Sequence, residues 1–564
     1  MTKQPNILLI MADQLAAQAL SLYGNKVCRT PNLERLASEG VTFANHYSNN
    51  PLCVPSRASM LTGRHSPEIR VYDNANEIPS SLPTMAHFMR ALGYQTFLSG
   101  KMHFIGPDQL HGFEERLTTD VYPADYQWIA DWSAGPAFVP SGTALNGVVE
   151  AGPCVRSMQE DYDDDVEFQA RRKIFDLARQ ESAKPFFGVV SFTSPHTPFN
   201  VAQQYWDLYD EDEIALPDVP EIPFAELDYF SKALFFAHGR HRHTVTKDHL
   251  RKTRHAYFAM ISYLDEKIGR LLDQLEETDL RENTVVMFTS DHGEMLGERG
   301  MWFKQCFWEW SARVPLVVSA PNGRRGARVN ANTSLVDLAP TLIEFGGGAA
   351  KLPEQMGDDL AGKSITVLLD GEDGNWPDIA VSDYLAIGPC VPCRMIRKGQ
   401  YKYIFTHRQP DMLFDLAADP HELQNLATDA IHANALRDLH GIAMQNYDPE
   451  ALMADVITSQ RQRRFIATVP GTTPKWDYVA YQGDAERYVR RGGVDATKSR
   501  LRLPRIELAP PDMPGSLGPS RLMTPCACPG SESYLMPFRT TAHARYSLSL
   551  VTRRSIFPLR VKPT

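Results

Sequence analysis

Hydrophobic residues along this chain gather in short runs that each stop at a polar group. The run ILLIM (7–11) stops at Asp13-Gln14, and YQTFL (94–98) at Gly100-Lys101-Met102-His103. FFGVVSF (186–192) stops at Ser194-Pro195-His196, and VVMF (285–288) at Asp291-His292-Gly293. Runs of this length, rich in β-branched and aromatic residues, predict strands. Continuous apolar character predicts burial on both faces, as in parallel sheets. Helical patterns alternate with the runs. In residues 30–40 Thr30 stands at the N-cap position, Pro31 opens the helix and Gly40 lies just past its end. Residues 248–278 place Ala256, Met260, Leu264, Ile268, Leu272 and Leu275 near one helical face. The alternation predicts an α/β fold, a doubly wound, mostly parallel sheet flanked by helices. Such sheets bind ligands beyond the carboxyl ends of their strands. That edge would collect Asp13, Gln14, Lys101, His103, His196, Asp291 and His292.

From about residue 376 the texture changes. MIRKGQYKYIF (395–405) predicts a hairpin turning at Gly399, MLFDL (412–416) a further strand, and helical sequence follows. The expected layout is a large domain over 1–375, a smaller C-terminal α+β subdomain over 376–505, and a Pro-rich atypical tail over 506–564.

Composition narrows the partners. The 564 residues carry 68 acidic and 58 basic side chains, a net charge of −10. No cationic excess exists to neutralise a nucleic-acid backbone, so no nucleic-acid partner is expected. No stretch of eighteen apolar residues occurs, so no membrane partner is expected. The apolar run at 7–12 is too short for a signal-peptide core, and a cytoplasmic location is expected. Eight cysteines are too few for a disulfide framework. Cys390 and Cys393 read as ordinary thiols. The aromatic stripe Trp302, Phe303, Phe307, Trp308 and Trp310 reads as core.

The segment Cys53-Val54-Pro55-Ser56-Arg57-Ala58-Ser59-Met60-Leu61-Thr62-Gly63 carries the chemistry. It puts a thiol at the start of a helix, where the dipole and free N–H groups favour an anion. Arg57 can turn to the same anion, and Cys53 reads as a nucleophile. The segment resembles the sulfatase signature C-x-P-S-R-x-x-x-L-T-G at every fixed position. Gly93-Tyr94-Gln95-Thr96-Phe97-Leu98-Ser99-Gly100-Lys101-Met102-His103 likewise resembles the second sulfatase signature. Residues 106–120, Val71-Tyr72-Asp73-Asn74 and 295–304 are similar to the choline sulfatase subgroup, and the resemblance spans about 5–505.

That resemblance implies a formylglycine made from Cys53 by a formylglycine-generating or other sulfatase-maturing enzyme. Its hydrated aldehyde would attack the sulfur of a small-molecule sulfate ester. One divalent metal ion, Ca²⁺, Mn²⁺ or Mg²⁺, is implied at Asp13, Gln14, Cys53, Asp291 and His292. Arg57, Lys101 and Lys304 correspond to sulfate-contacting cations. His196 corresponds to the acid that protonates the leaving alkoxide, and His103 to the base that later expels sulfate. Asn74, Trp128 and Asp383 correspond to substrate-binding positions, Trp128 offering an aromatic face to a quaternary ammonium. The resemblance also implies a homo-oligomer. Two alternatives remain at this point. One is a phosphonate monoester or phosphodiester hydrolase of the same superfamily. The other is a non-catalytic protein that binds choline sulfate.

Overall fold

The computed structural model describes residues 4–138, 145–180, 184–353, 356–357, 359–372, 374–469 and 476. The expected tail at 506–564 lies outside them, as does the part of the expected subdomain after 469, Trp476 excepted.

The runs that stop at polar groups form the middle of one sheet. Its strands are β1 (Asn6–Ala12), β2 (Val41–Tyr47), β3 (Gln95–Gly100) and β4 (Glu115–Arg116), followed by β6 (Phe186–Ser191), β8 (Thr284–Ser290), β9 (Arg313–Ser319) and β10 (Ala327–Ser334). The order across the sheet is β10-β2-β9-β8-β1-β6-β3-β4. Only β9 runs against its neighbours. A separate two-stranded pair joins β5 (Gly152–Cys154) to β7 (Asn200–Ala202).

β1 is buried at all seven positions and has a helical layer on each side. Leu8 and Ile10 pack into one layer with the long helix Lys247–Glu277, and Ile7 and Leu9 pack into the other. Each fully buried Leu or Ile contributes about 1.5–3 kcal/mol relative to exposure. The register then aligns the strand ends. Met11 lies opposite Ser191, Gly100 opposite Ser191, and Ala12 opposite Ser290. The residues that follow, Asp13, Lys101 and Asp291, therefore leave the sheet at one level. Gly100 is required at that exit. Its φ is +105°, and an added Cβ would lie 1.9 Å from the Ser191 carbonyl oxygen.

The C-terminal part forms an antiparallel sheet of β11 (Ile379–Tyr384), β12 (Cys393–Lys398), β13 (Tyr401–Thr406) and β14 (Met412–Asp415). The hairpin turns at Gly399, as the pattern predicts. One face of this sheet shares a core with Tyr47, Phe307 and Trp308. The other takes the helix Ala433–Ala443. Trp302, Phe303, Phe307 and Trp308 are buried core residues, in line with the core reading. Cys390 and Cys393 form no disulfide. Among the described residues no helix is long and apolar enough to cross a membrane.

The last described helix, Pro449–Thr468, packs against the loops that carry Tyr72 and Trp132. Arg463 forks onto Asp73 at 2.6 and 3.0 Å, and Gln460 accepts the Trp132 N–H at 3.0 Å. Asp73 also accepts the Ala130 N–H at 3.3 Å. One ion pair thus ties together two loops that flank Asn74 and Trp128. Arg463→Ala leaves a buried carboxylate unpaired, and a loss of about 3–5 kcal/mol is expected in denaturant unfolding. Asp73→Ala/Arg463→Ala should lose less than Arg463→Ala alone, and an equal or larger loss would refute the assignment.

His46 on β2 couples the sheet to pH. It is buried with Nδ1 2.9 Å from Thr333 Oγ1, and burial pushes its imidazole down to about 3 from 6.5. The unfolded chain binds that proton at higher pH than the folded one. The group's contribution is therefore full above the unfolded value. It falls as pH drops from 6.5 toward 3, at about 1.4 kcal/mol per pH unit. His46→Gln is expected to flatten the acid side of a plot of urea midpoint against pH, and an unaltered slope would contradict this account.

Candidate active site

Five strand ends meet at one buried cluster. β1 delivers Asp13 and Gln14, β3 delivers Lys101 and His103, β6 delivers His196, and β8 delivers Asp291 and His292. Beyond β2, the helix Cys53–Thr62 begins at Cys53. Asn74 supplies that helix's N-terminal acceptor, its Oδ1 taking the Val54 N–H at 3.0 Å. All ten residues of the helix are buried.

Cys53 Sγ lies 3.2 Å from His292 Nε2 and 3.9 Å from Asp13 Oδ1. Ligand atoms of Asp13, Cys53, Asp291 and His292 all fall within 4.8 Å of one another. Gln14 stands beside them, its main-chain N–H donating to Asp291 Oδ1 at 3.1 Å and its amide oxygen accepting from Lys304. Two carboxylates, an imidazole and an amide fit a divalent cation of the Ca²⁺, Mg²⁺ or Mn²⁺ kind.

The cations interlock with these acids. Lys101 pairs with Asp13. Arg57 Nε donates to Asp291 Oδ2 at 2.8 Å, and its Nη1 donates to the Lys101 carbonyl at 2.7 Å and Ser191 Oγ at 2.8 Å. Among the described residues the buried Arg57 Nη2 has no hydrogen-bond partner. Lys304 pairs with Gln14 Oε1 and lies 2.8 Å from His196 Nε2. Asp13 and Asp291 engage Lys101 and Arg57 directly, while Lys304 meets the uncharged Gln14 amide oxygen and His196, which leaves its ammonium to receive an anion.

The electrostatics follow. Burial alone would raise the Asp13 carboxyl, yet the Lys101 ammonium holds it below the usual carboxylate range. Burial also opposes a Cys53 thiolate, but Lys101, Lys304 and His292 hold that thiol well below its ordinary value. His196 is pushed down by burial and then by the neighbouring Lys304 ammonium. A neutral His196 can accept from Lys304 at Nε2 while its Nδ1 faces the Thr197 carbonyl at 2.5 Å.

His103 sits across the cluster. Asp120 Oδ2 accepts its N–H at 2.7 Å, and neither ring nitrogen makes a hydrogen bond of good geometry. Its imidazole is close enough to Cys53 to help lower the thiol. Trp128 lies edge-on to His103 with centroids 5.4 Å apart. The expected residue at Asp383 is placed differently. Its carboxylate is buried in a two-point pair with Arg394 at 2.8 and 3.1 Å, away from the partners that the cluster's residues bind.

Two residues escaped the sequence reading. Tyr122 stands between the anion end and Trp128. Its ring lies 4.6 Å from Lys101 Nζ, 5.1 Å from His103 and 5.3 Å from Trp128, and its hydroxyl is 3.0 Å from His196 Nδ1. Glu294 is buried behind Gln14 and hydrogen-bonded to it. Both stand within a few residues of positions the motifs marked, but nothing in their spacing singles them out.

Comparison with known proteins agrees with this geometry. Residues 5–348 match the family described as Sulfatase. Residues 297–446 match the family described as N-sulphoglucosamine sulphohydrolase, C-terminal. A choline-sulfatase of Rhizobium meliloti is 41% identical over 519 residues, covering 90% of this chain and all of that protein. An ulvan-active sulfatase of Formosa agariphila is 31% identical over 75% of this chain and 77% of its own length. The crystal structure of a phosphonate monoester hydrolase of Agrobacterium radiobacter superposes with a TM-score of 0.63 at 26% identity, covering 80% of this chain and 96% of that one. Fold and site together define a hydrolase of the alkaline phosphatase superfamily. Within it the chain belongs to the sulfatase family, and it hydrolyses sulfate esters.

Tyr122 generates a kinetic test. Tyr122→Phe removes one partner of His196 and keeps the ring. Losing a hydrogen bond worth about 1 kcal/mol predicts a roughly fivefold fall in kcat with KM little changed. Steady-state kinetics showing wild-type kcat would remove Tyr122 from the proton-transfer arrangement.

Proposed function

We propose that the sulfate ester this enzyme hydrolyses is choline-O-sulfate, giving choline and sulfate. The observation that carries the reading is the aromatic wall of Tyr122 and Trp128 beside the cationic cluster. A quaternary ammonium offers no hydrogen-bond donor, and aromatic faces recognise it by cation–π attraction. The 41% identity with a choline-sulfatase supports the same substrate.

Asp13, Gln14, Asp291, His292 and position 53 would hold one divalent ion. Bound there, that ion would neutralise sulfate oxygens, and formylglycine made from Cys53 by a maturing enzyme would supply the attacking hydroxyl. Lys101 and Lys304 stabilise charge on the transferring sulfate group. Arg57 holds Asp291 and offers its unpartnered Nη2 to the same group. His196 and Lys304 share the Lys304 proton at Nε2, and from that pair it passes to the leaving alkoxide, a poor leaving group that needs one. His103 takes the proton whose removal releases sulfate. Asn74 sets the start of the nucleophile's helix, and Trp128 faces the ammonium. Asp383 is engaged by Arg394 and supports the sheet beneath. We further assign the enzyme to the cytoplasm and to a homo-oligomer, which mass measurement in solution tests.

The test is a substrate panel on protein whose formylglycine is confirmed by mass spectrometry. The kcat/KM for choline-O-sulfate should exceed that for aryl sulfates and phosphodiesters by about 100-fold or more, the scale expected when a built ammonium site is left empty. Cys53→Ala and removal of metal by a chelator should each abolish turnover. Cleavage of aryl sulfates without choline-O-sulfate would sink the substrate reading. Faster cleavage of phosphodiesters would move the enzyme to the phosphonate hydrolase side of the superfamily.

A further inference from the structure

Glu294 has no part in the roles above, yet it is fully buried at the cluster. Its Oε1 accepts the Leu296 N–H at 2.9 Å and the Phe303 N–H at 2.6 Å. Its Oε2 accepts from Gln14 Nε2. The other end of the same amide, Gln14 Oε1, accepts from Lys304 Nζ. An ammonium can only donate and a carboxylate can only accept. The Gln14 amide is therefore held between a donor-only and an acceptor-only neighbour, and one orientation satisfies both. Oxygen points to Lys304, and the NH₂ points to Glu294.

The main chain of Gln14 has no freedom to compensate. Its φ is +67°, its N–H is held by Asp291 Oδ1 at 3.1 Å, and its carbonyl accepts the Tyr257 hydroxyl at 2.6 Å. Only the side chain is left to adjust. An amide presents either an oxygen that can ligate a cation or an NH₂ that repels one. The choice between them decides whether this position is a metal ligand at all.

We propose that Glu294 is a positioning residue that fixes the Gln14 amide with its oxygen toward the metal-binding cluster. The inference rests on the assignment of Gln14 to that cluster. Groups behind a metal ligand orient it, and their loss weakens metal binding by about 10–100-fold.

Glu294→Gln is nearly isosteric and tests the point. The introduced amide keeps its oxygen on the Leu296 and Phe303 N–H groups and turns its NH₂ onto the NH₂ of Gln14. Two donors then face each other, and Gln14 is relieved only by turning its own NH₂ into the cluster. Calorimetric titration of metal-stripped protein with Mn²⁺ is expected to show affinity about 10–100-fold below wild type. Gln14→Glu alone sets two carboxylates against each other and should be destabilised. The double variant Gln14→Glu/Glu294→Gln restores an acceptor opposite a donor. It should recover Mn²⁺ affinity and thermal stability above either single variant.

An Mn²⁺ affinity for Glu294→Gln within twofold of wild type would overturn the proposal. So would a double variant no better than the two singles. If Glu294→Gln fails to fold, the double variant decides alone, by folding and binding or not. If wild-type protein binds no Mn²⁺, the metal assignment fails. The melting temperatures of the metal-free set still report whether positions 14 and 294 pair as donor and acceptor.

Discussion

The structure depends on charge compensation at the carboxyl edge of the main sheet. Asp13, Asp291, Lys101 and Arg57 are all almost fully buried. An isolated charge at such a place is prohibitive, and a pair persists only if its remaining donors and acceptors are also satisfied. The two pairs meet this condition jointly. Arg57 binds Asp291 through Nε, and through Nη1 it holds the carbonyl of Lys101, the residue that neutralises Asp13. Ser191, the last residue of β6, accepts from the same guanidinium. Four strand ends are thereby locked by one arginine. A carboxylate set assembled this way is already organised, its oxygens gathered beside His292 and Cys53.

This lock explains the unusual backbone around it. Gln14 and His103 both hold positive φ just after their strands, a conformation that non-glycine residues rarely adopt. Each is held there by bonds to its own main chain. Asp291 and Tyr257 secure Gln14, and Asp120 secures the N–H groups of Met102 and His103. The sharp exits turn side chains back over the sheet end instead of letting the loops run outward. The cost of each turn, about 1–3 kcal/mol, is offset by the surrounding bonds, a common arrangement where geometry serves function.

Much of this was legible in the chain, because the same physics writes both patterns. Four apolar runs predicted four strands, which the sheet sets side by side, and the polar groups at their ends predicted one site. Parallel register makes that inference sound, since strand ends align when every central strand points the same way. The long helix, the hairpin at Gly399 and the buried stripe at Trp302–Trp308 were equally visible in periodicity and turn residues. Asp383 shows where the reading ends. An acidic residue is placed by its partner, and Arg394, eleven positions away on the neighbouring strand, claims it. Cross-strand pairing of this kind depends on register, which residue type alone does not display. Tyr122 and Glu294 were missed for the related reason that their neighbours come from distant strands.

The division of labour between the two ends of the pocket follows from where each is anchored. At the anion end Asp13, Gln14, Lys101, Asp291 and His292 stand one or two positions beyond strands, so the sheet itself sets their spacing. The aromatic end, Tyr122 and Trp128, rides on a long loop with no strand beneath it. That loop and the Asp73 loop are tied instead to the helix Pro449–Thr468 through Arg463, Gln460 and Ser459. Change in the C-terminal helix therefore reaches the loops that carry Asn74, Tyr122 and Trp128 without touching the strand ends. A fold that fixes its reaction in the sheet and its recognition in loops braced from the chain's far end can vary its substrate without rebuilding its catalytic edge.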